Sequence, residues 1–547
     1  MKSAFDKHKK HIYISIISLI FWGVTFFTDT KIFSSDGLNM NCLPIDPEMT
    51  TLMHVLTKVL VLLCIFLFLE FLVFARKQPK LLIPFLLFMC IYGVGLLITY
   101  PGYYMNDDPI IFSYATRYYP VYWHNYLTSL FYMTAMSLFP LSAAPVLLSD
   151  VFYALVFSYL YWRADKLYRS KWCRLLLLTA VLPFTLLGGL MCFRPAIYAS
   201  FFVFYFIYLY FEWKENAPLT GKKLLFLSLL TAVLSLWRSE SLVLLPIGLF
   251  LIGFAYHSKK KALIYFVLSV LFFFVVKAPQ SYGEEKHYGS DYLIISTTRP
   301  LSVILHREQT YEGSEQDIEN ISAVTEFGYL HNDSLSCSAY NRYNSDHNEG
   351  RYTQTGASEE MQSAYLKSAL RLILNNFDLY LGERIQLFCV TNGFFGYDKD
   401  MVLNLKPVAS TDFHLYEHDR DYGMEMLEAF KRLPLSYHDG YAMFLFRFGG
   451  EAFLPMLLLL IIMTISTLIR KKWFLFFGCL ALIAREAVIF LTAPASFIQY
   501  SYPMMYATAA LLLLMIVDRL CAKANASSRT KEVIRSESGA KYISSLP

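Results

Sequence analysis

Apolar runs of about twenty residues recur along this chain, and nothing else in it constrains the fold as strongly. A run of that length crosses a bilayer as a helix, because in hydrocarbon a helix satisfies its own backbone. Twelve runs fall near 11–28, 52–74, 81–99, 143–162, 174–191, 195–211, 224–238, 240–256, 262–277, 450–469, 473–492 and 498–517. The expected fold is an all-α polytopic membrane protein of about 12 transmembrane helices. Composition agrees, with 56% hydrophobic residues, 17% charged and a mean hydropathy of +0.41. The net charge of +5 then reports loop topology, and no nucleic-acid partner is read from it.

Lysine and arginine set the orientation. The short connections assigned to the inside hold 21 of them, against 4 outside (Lys31, Arg117, Arg194 and Arg238). Both termini are thus expected in the cytoplasm. Lys2, Lys7, Lys9 and Lys10 precede the first run, which resembles a signal peptide's apolar core but lacks a convincing small-residue cleavage site. It reads as an uncleaved first helix. Residues 124–139 would invert everything after them as a full crossing, so they are expected as a juxtamembrane or half-inserted helix outside.

The character changes between the ninth and tenth runs. Residues 278–440 are polar and too long for a connection, so an extracytoplasmic α-rich or mixed domain is expected there. Within it, 359–389 has helical periodicity. The domain plan is 1–277 with nine spans and a large outer loop at 100–142, the insertion at 278–440, three spans in 441–520, and a disordered cytoplasmic tail at 521–547. Nine cysteines are scattered, and no CxxC, HExxH, Walker or dinucleotide glycine motif occurs. ATP-driven transport and zinc hydrolysis lose their usual evidence.

Ionisable residues at span ends are costly unless they face a cavity or a partner, and here they collect on the predicted outer side. Residues 100–140 present Asp107 and Asp108, then Arg117, a belt of tyrosines, and Trp123 with His124. Arg194 sits in the turn between the fifth and sixth runs, Arg238 and Glu240 between the seventh and eighth. Arg485 and Glu486 lie in the outer half of the eleventh run, and Gln499, Tyr500 and Tyr502 open the twelfth. Each has a plainer reading. An arginine at a helix end snorkels to head groups, tyrosines form an interfacial belt, and Asp-Asp-Pro makes a turn and helix cap. Arg238 with Glu240, or Arg485 with Glu486, makes a structural ion pair.

Taken together, the set suits a lipid substrate that bears phosphate. Guanidinium groups bind phosphate oxygens through charge-assisted bonds and keep their charge. A neighbouring carboxylate accepts the proton of an attacking hydroxyl.

The stretch Tyr100-Pro101-Gly102, Asp107-Asp108 and Trp123-His124 resembles the first outer loop of the GT-C class of integral-membrane glycosyltransferases, most closely its bacterial members. Those relatives carry Tyr-Pro-Gly, an acidic residue, then Trp-His, and a late outer insertion. The resemblance implies a transferase that moves a sugar from a polyprenyl-phosphate-linked donor to a glycan, lipid or protein acceptor at the outer face of the plasma membrane, with inversion. It implies Asp107 or Asp108 as general base, with a slight preference for Asp107. Arg117, His124, Arg194, Arg238, Glu240, Arg485, Gln499 and Tyr500 are the expected substrate and phosphate ligands. No metal or cofactor is assigned. Two departures stand out: Asn125 follows Trp-His where relatives commonly have proline, and Arg194 replaces an acidic residue often found at that turn. The alternatives are an O-antigen polymerase or ligase-type enzyme, whose arginine-rich loop motif is missing here, and a flippase of lipid-linked sugars.

Overall fold

A computed structural model describes residues 2–33, 46–104, 108–287, 291–325, 357–391, 453–493 and 498–543. Among them there is no β-strand, only helices, turns and an isolated bridge. The first helices are α1 (Lys2–Ile32), α2 (Pro47–Ala75), α3 (Pro79–Thr99), α4 (Asp108–Ala115), α5 (Tyr126–Leu138) and α6 (Ala144–Tyr168). A 3-10 segment (Lys171–Ala180) leads into α7 (Pro183–Gly189), then come α8 (Arg194–Lys214) and α9 (Gly221–Trp237). A short 3-10 turn (Ser239–Val243) precedes α10 (Leu244–Ala255) and α11 (Lys259–His287). There follow α12 (Asp291–Ile304), α13 (Ser314–Ser322), α14 (Glu359–Asn375) and α15 (Phe377–Thr391). The chain closes with α16 (Phe453–Ile469), α17 (Trp473–Thr492) and α18 (Tyr502–Ile543). Proline occupies the first turn of α2, α3, α6, α7 and α8, where its missing N–H costs nothing.

Eight described helices are long and apolar enough to cross a membrane, or nine if the 3-10 segment and α7, bent by 53°, make one span. All twelve apolar runs fall on helices, but α9, α10 and α16 are shorter than the rest. The centre of the bundle is α8, with 78% of its apolar window buried, against 17% for α1, α2 and α11. Those three turn residues such as Ile20, Val55 and Val275 outward, as helices facing lipid would.

Lipid is as apolar as leucine, so close packing and polar links hold such a bundle together. Here tyrosines provide the links. Tyr92 donates to Ala180 O at 2.9 Å, Tyr132 to Cys192 O at 3.0 Å, Tyr153 to Ala196 O at 2.7 Å and Tyr506 to Phe184 O at 2.5 Å. All four acceptors lie at the 3-10 segment, at α7 or around the start of α8, so the ties gather where the regular helices are interrupted. Of the tyrosines of 103–126, expected as an interfacial belt, Tyr103, Tyr104, Tyr118, Tyr119, Tyr122 and Tyr126 are buried and Tyr114 is half-buried. The expected juxtamembrane helix is α5, buried along almost its whole length and packed on α2, α4 and α6.

Helices α12 to α15 build a small core of their own around Leu301, Ile304, Tyr365 and Leu372. The periodic stretch 359–389 is thus two helices, broken at Asn376. Arg299 and Arg384 share the buried Glu383, Arg371 pairs with Asp317, and Arg307 with Asp378 at 2.7 Å. Tyr380 and Arg384 then fasten α15 to α17 through Leu491 O and Ala493 O. Most of the remaining 278–440 lies outside the described residues. Where a disordered tail is expected, α18 continues to Ile543, as no glycine or proline stops it between 504 and 538.

Candidate active site

The loop after α3 turns on Gly102, whose φ of +108° suits glycine and whose missing Cβ would lie 2.6 Å from Val146 Cγ2. That turn lets Tyr103 run beside the connection into α8. Tyr103 N donates to Leu190 O at 2.9 Å, and Cys192 N to Tyr103 O at 3.4 Å. Asp108 then opens α4, fully buried, with Cys192 Sγ 3.7 Å from its Oδ2. Asp107 lies outside the described residues. Two residues beyond Cys192, Arg194 begins α8.

The Trp123-His124 turn is pinned by Asn125, noted in the sequence without a role, and by Gln280, which the sequence reading passed over. Asn125 has a φ of +69°, donates from Nδ2 to Leu236 O at 3.0 Å, and accepts from Leu127 N at 3.1 Å. A proline ring is locked near −65° and could not follow this path, whereas asparagine tolerates it. The local backbone thus accounts for asparagine rather than proline after Trp123-His124. Gln280 on α11 closes the other side: Tyr126 N donates to its Oε1 at 2.9 Å, and its Nε2 donates to Tyr122 O at 2.7 Å. No motif announces these pins, since they join residues more than a hundred positions apart.

Between this turn, the start of α8, the end of α9 and α11 lies a cavity of about 420 Å³. Trp123, Asn125, Arg194, Trp237, Lys277 and Glu284 are among its walls. His124 is buried nearby, and burial, with the charges of Arg194 and Arg238, holds its ring well below the ordinary histidine range. The imidazole is therefore neutral at pH 7.

A second group forms behind it. Glu240 Oε1 receives Arg238 at 2.6 Å and Arg485 at 2.8 Å. Arg485 also holds Glu486 at 2.9 Å, Tyr500 O at 2.8 Å and Ser241 Oγ at 3.2 Å, and is fully buried. Ser501 Oγ donates to Glu486 at 2.7 Å, and Arg238 lies over the Tyr500 ring. A recess of about 330 Å³ opens beside Arg238 and Glu240 and shares Ser239 and Leu293 with the first cavity.

Of the predicted ligands, the structure sets Arg194 on the cavity with His124 close by, and locks Arg238, Glu240, Arg485 and Tyr500 into one network. The side chain of Gln499 lies outside the described residues. Arg117 is buried, and its guanidinium makes no ion pair or hydrogen bond among the described residues. Sequence reading also passed over Asp150 in α6, buried beside Gly189 with both carboxyl oxygens lacking a hydrogen bond among the described residues. An aspartate inside an apolar run was the signal. No metal-binding cluster of His, Cys, Asp and Glu occurs among the described residues. Compared with protein-family models, curated proteins and solved structures, the chain matches none.

Proposed function

We propose that this protein is a membrane glycosyltransferase that moves a sugar from a polyprenyl-phosphate-linked donor to an acceptor hydroxyl. The observation that carries this reading is the connection 190–194. It lays Cys192 against Asp108 and, two residues on, sets Arg194 on the wall of the cavity. An acid and a phosphate-binding cation thereby share one rigid support. The cavity, at about 420 Å³, has the size of an ordinary small-ligand site.

In this reading the donor's phosphate sits against Arg194 and Lys277 while its polyprenyl tail lies in the bilayer. The acceptor oxygen attacks the anomeric carbon from the opposite face, and the bond from that carbon to the phosphate oxygen breaks. The electron pair leaves on the phosphate, where the two cations stabilise it. The acceptor's proton passes to the Asp107–Asp108 pair. Asp108 is enclosed against Cys192 and opens α4, so we assign proton removal to Asp107 and the placing of the loop to Asp108.

The finer topology belongs to the same proposal: twelve crossings, cytoplasmic termini, an insertion at 278–440 outside, and the plasma membrane as location. The described arginines of the α12–α15 cluster are all ion-paired within it, which lends the ligase-type alternative no support. The test is reconstitution in lipid with a panel of polyprenyl-phosphate sugars and envelope lipid extract, following donor consumption. Asp107→Asn is expected to abolish turnover while donor still binds, and Asp108→Asn to reduce it. Undiminished turnover in both would remove this loop from the chemistry, and intact donor in the opposite leaflet would favour the flippase.

A further inference from the structure

A different recess lies at the end of the bundle where lysine and arginine collect. It measures about 450 Å³, and its walls include Lys80, Asp165, Lys166, Arg169, Lys171 and Arg174. Local backbone geometry brings these cations together. Arg169 caps α6 in the left-handed region, with φ +49°, so the chain reverses at once and Ser170 caps the following 3-10 segment through Trp172 N. In a 3-10 segment residues three apart eclipse, which puts Lys171 and Arg174 on one face. Lys166 and Arg169 approach from the last turn of α6, and Lys80 from the first turn of α3.

A bias toward basic residues is expected wherever loops stay on the cytoplasmic side, so number alone shows nothing. The contrast with neighbours at the same end does. There Lys214 pairs with Asp518 at 2.7 Å, Lys223 with Glu212 at 2.5 Å and Arg163 with Glu215 at 3.1 Å. In the recess the one carboxylate, Asp165, is taken by Lys80 at 2.7 Å. Lys166, Arg169, Lys171 and Arg174 have no ion-pair partner among the described residues. The recess also lies at the depth where α3 begins and α6 ends as apolar spans. Trp162 and Trp172, each under a lysine ammonium, flank it as tryptophans do at the head-group level.

We propose that this recess binds a phosphate-bearing anion, supplied by the head group of an anionic membrane lipid. Four uncompensated cations on one concavity suit a group with more than one negative charge. The site is independent of the transferase reading and stands at the other end of α6 from the loop that carries Asp108.

The test uses the purified full-length protein in detergent, with native mass spectrometry reading bound lipid from equimolar cardiolipin (two phosphates) and zwitterionic phosphatidylcholine. Cardiolipin is expected to be retained preferentially. In the triple variant K166Q/R169Q/R174Q its retention should fall by about a hundredfold, given roughly 1 kcal/mol per cation at a charged lipid surface. The control K222Q/K259Q/K260Q removes three exposed lysines outside the recess and should leave retention unchanged. Titration with inorganic pyrophosphate separates the sources: no displacement assigns the site to lipid, and binding of pyrophosphate alone assigns it to a soluble phosphate compound. No preference for cardiolipin, with no pyrophosphate bound, would overturn the proposal. So would an equal loss in the control variant, which would reduce the effect to general surface charge.

Discussion

Two sets of arginines stand at the predicted outer end of this bundle, in opposite chemical situations. Arg485 spends its donors on Glu240, Glu486, Tyr500 O and Ser241, all inside protein. Arg194 lines an open cavity with Lys277. The same residue type thus makes a structural tie in one place and lines a cavity in the other. What separates them is enclosure: Arg485 is fully buried and tied to Glu240, 245 residues away, whereas Arg194 is half-buried on the cavity wall.

The sharpest way to break this contrast is to cut the tie. Removing one partner of a buried ion pair leaves the other charge uncompensated, at a cost of about 3–5 kcal/mol. Arg485→Met should therefore lower the unfolding free energy in mixed micelles by about that amount. Replacing both members with apolar groups removes the stranded charge, so R485M/E486L should be less destabilised than R485M alone. A double variant as unstable as the single one would mean that Glu486 is not what Arg485 neutralises.

The opposite member should behave in reverse. Arg194→Gln is expected to cost less stability than Arg485→Met, because its side chain is half-buried on the cavity wall rather than fully enclosed. Donor turnover should fall by about 10²–10³, the usual cost of losing one donor aimed at developing charge. If Arg194→Gln unfolds the protein and Arg485→Met spares it while stopping turnover, the two sets have been assigned the wrong way round.

How much of this was legible beforehand follows from the same distinction. Helices were, because a run of apolar residues long enough to cross lipid has few other fates, and all twelve runs fall on helices. The gathering of Arg238, Glu240, Arg485 and Glu486 was legible too, because charges in apolar runs must meet something. Which arginine would be enclosed and which would face a cavity was not, since contacts between residues hundreds of positions apart are a tertiary fact. The tyrosines misled for a related reason. A phenol at a span end suits the interface, but it equally suits a polar partner inside the protein: Tyr104 donates to Ser142 O, Tyr118 to Asp29 and Tyr126 to Val276 O. The purpose of Asn125 was not legible either, because its φ of +69° is a property of the folded turn.

That residue offers a smaller test of how rigidly the cavity wall is held. Asn125→Ala loses the bond to Leu236 O and the cap on Leu127 N, worth about 1–2 kcal/mol together. Asn125→Pro should cost more, because the ring cannot adopt the required φ. A proline variant as stable as wild type would show that the turn has a second conformation available.

The finest probe of the contrast is the proton on His124, which senses Arg194 and Arg238 together. Unfolded, this ring titrates near 6.5; folded, burial and then the two guanidinium charges hold it well below that. The unfolded chain therefore takes up the proton first as pH falls. Stability should decline below pH 6.5, by at most about 1.4 kcal/mol per pH unit, until the folded ring also titrates. The unfolding free energy measured at pH 7.5, 6.5 and 5.5 should show a component that disappears in His124→Gln, and equal slopes in the two proteins would sink the assignment. Because one of the two charges depressing the ring belongs to Arg194, Arg194→Gln should shrink the same component without abolishing it, the remainder coming from burial and from Arg238, fixed by Glu240.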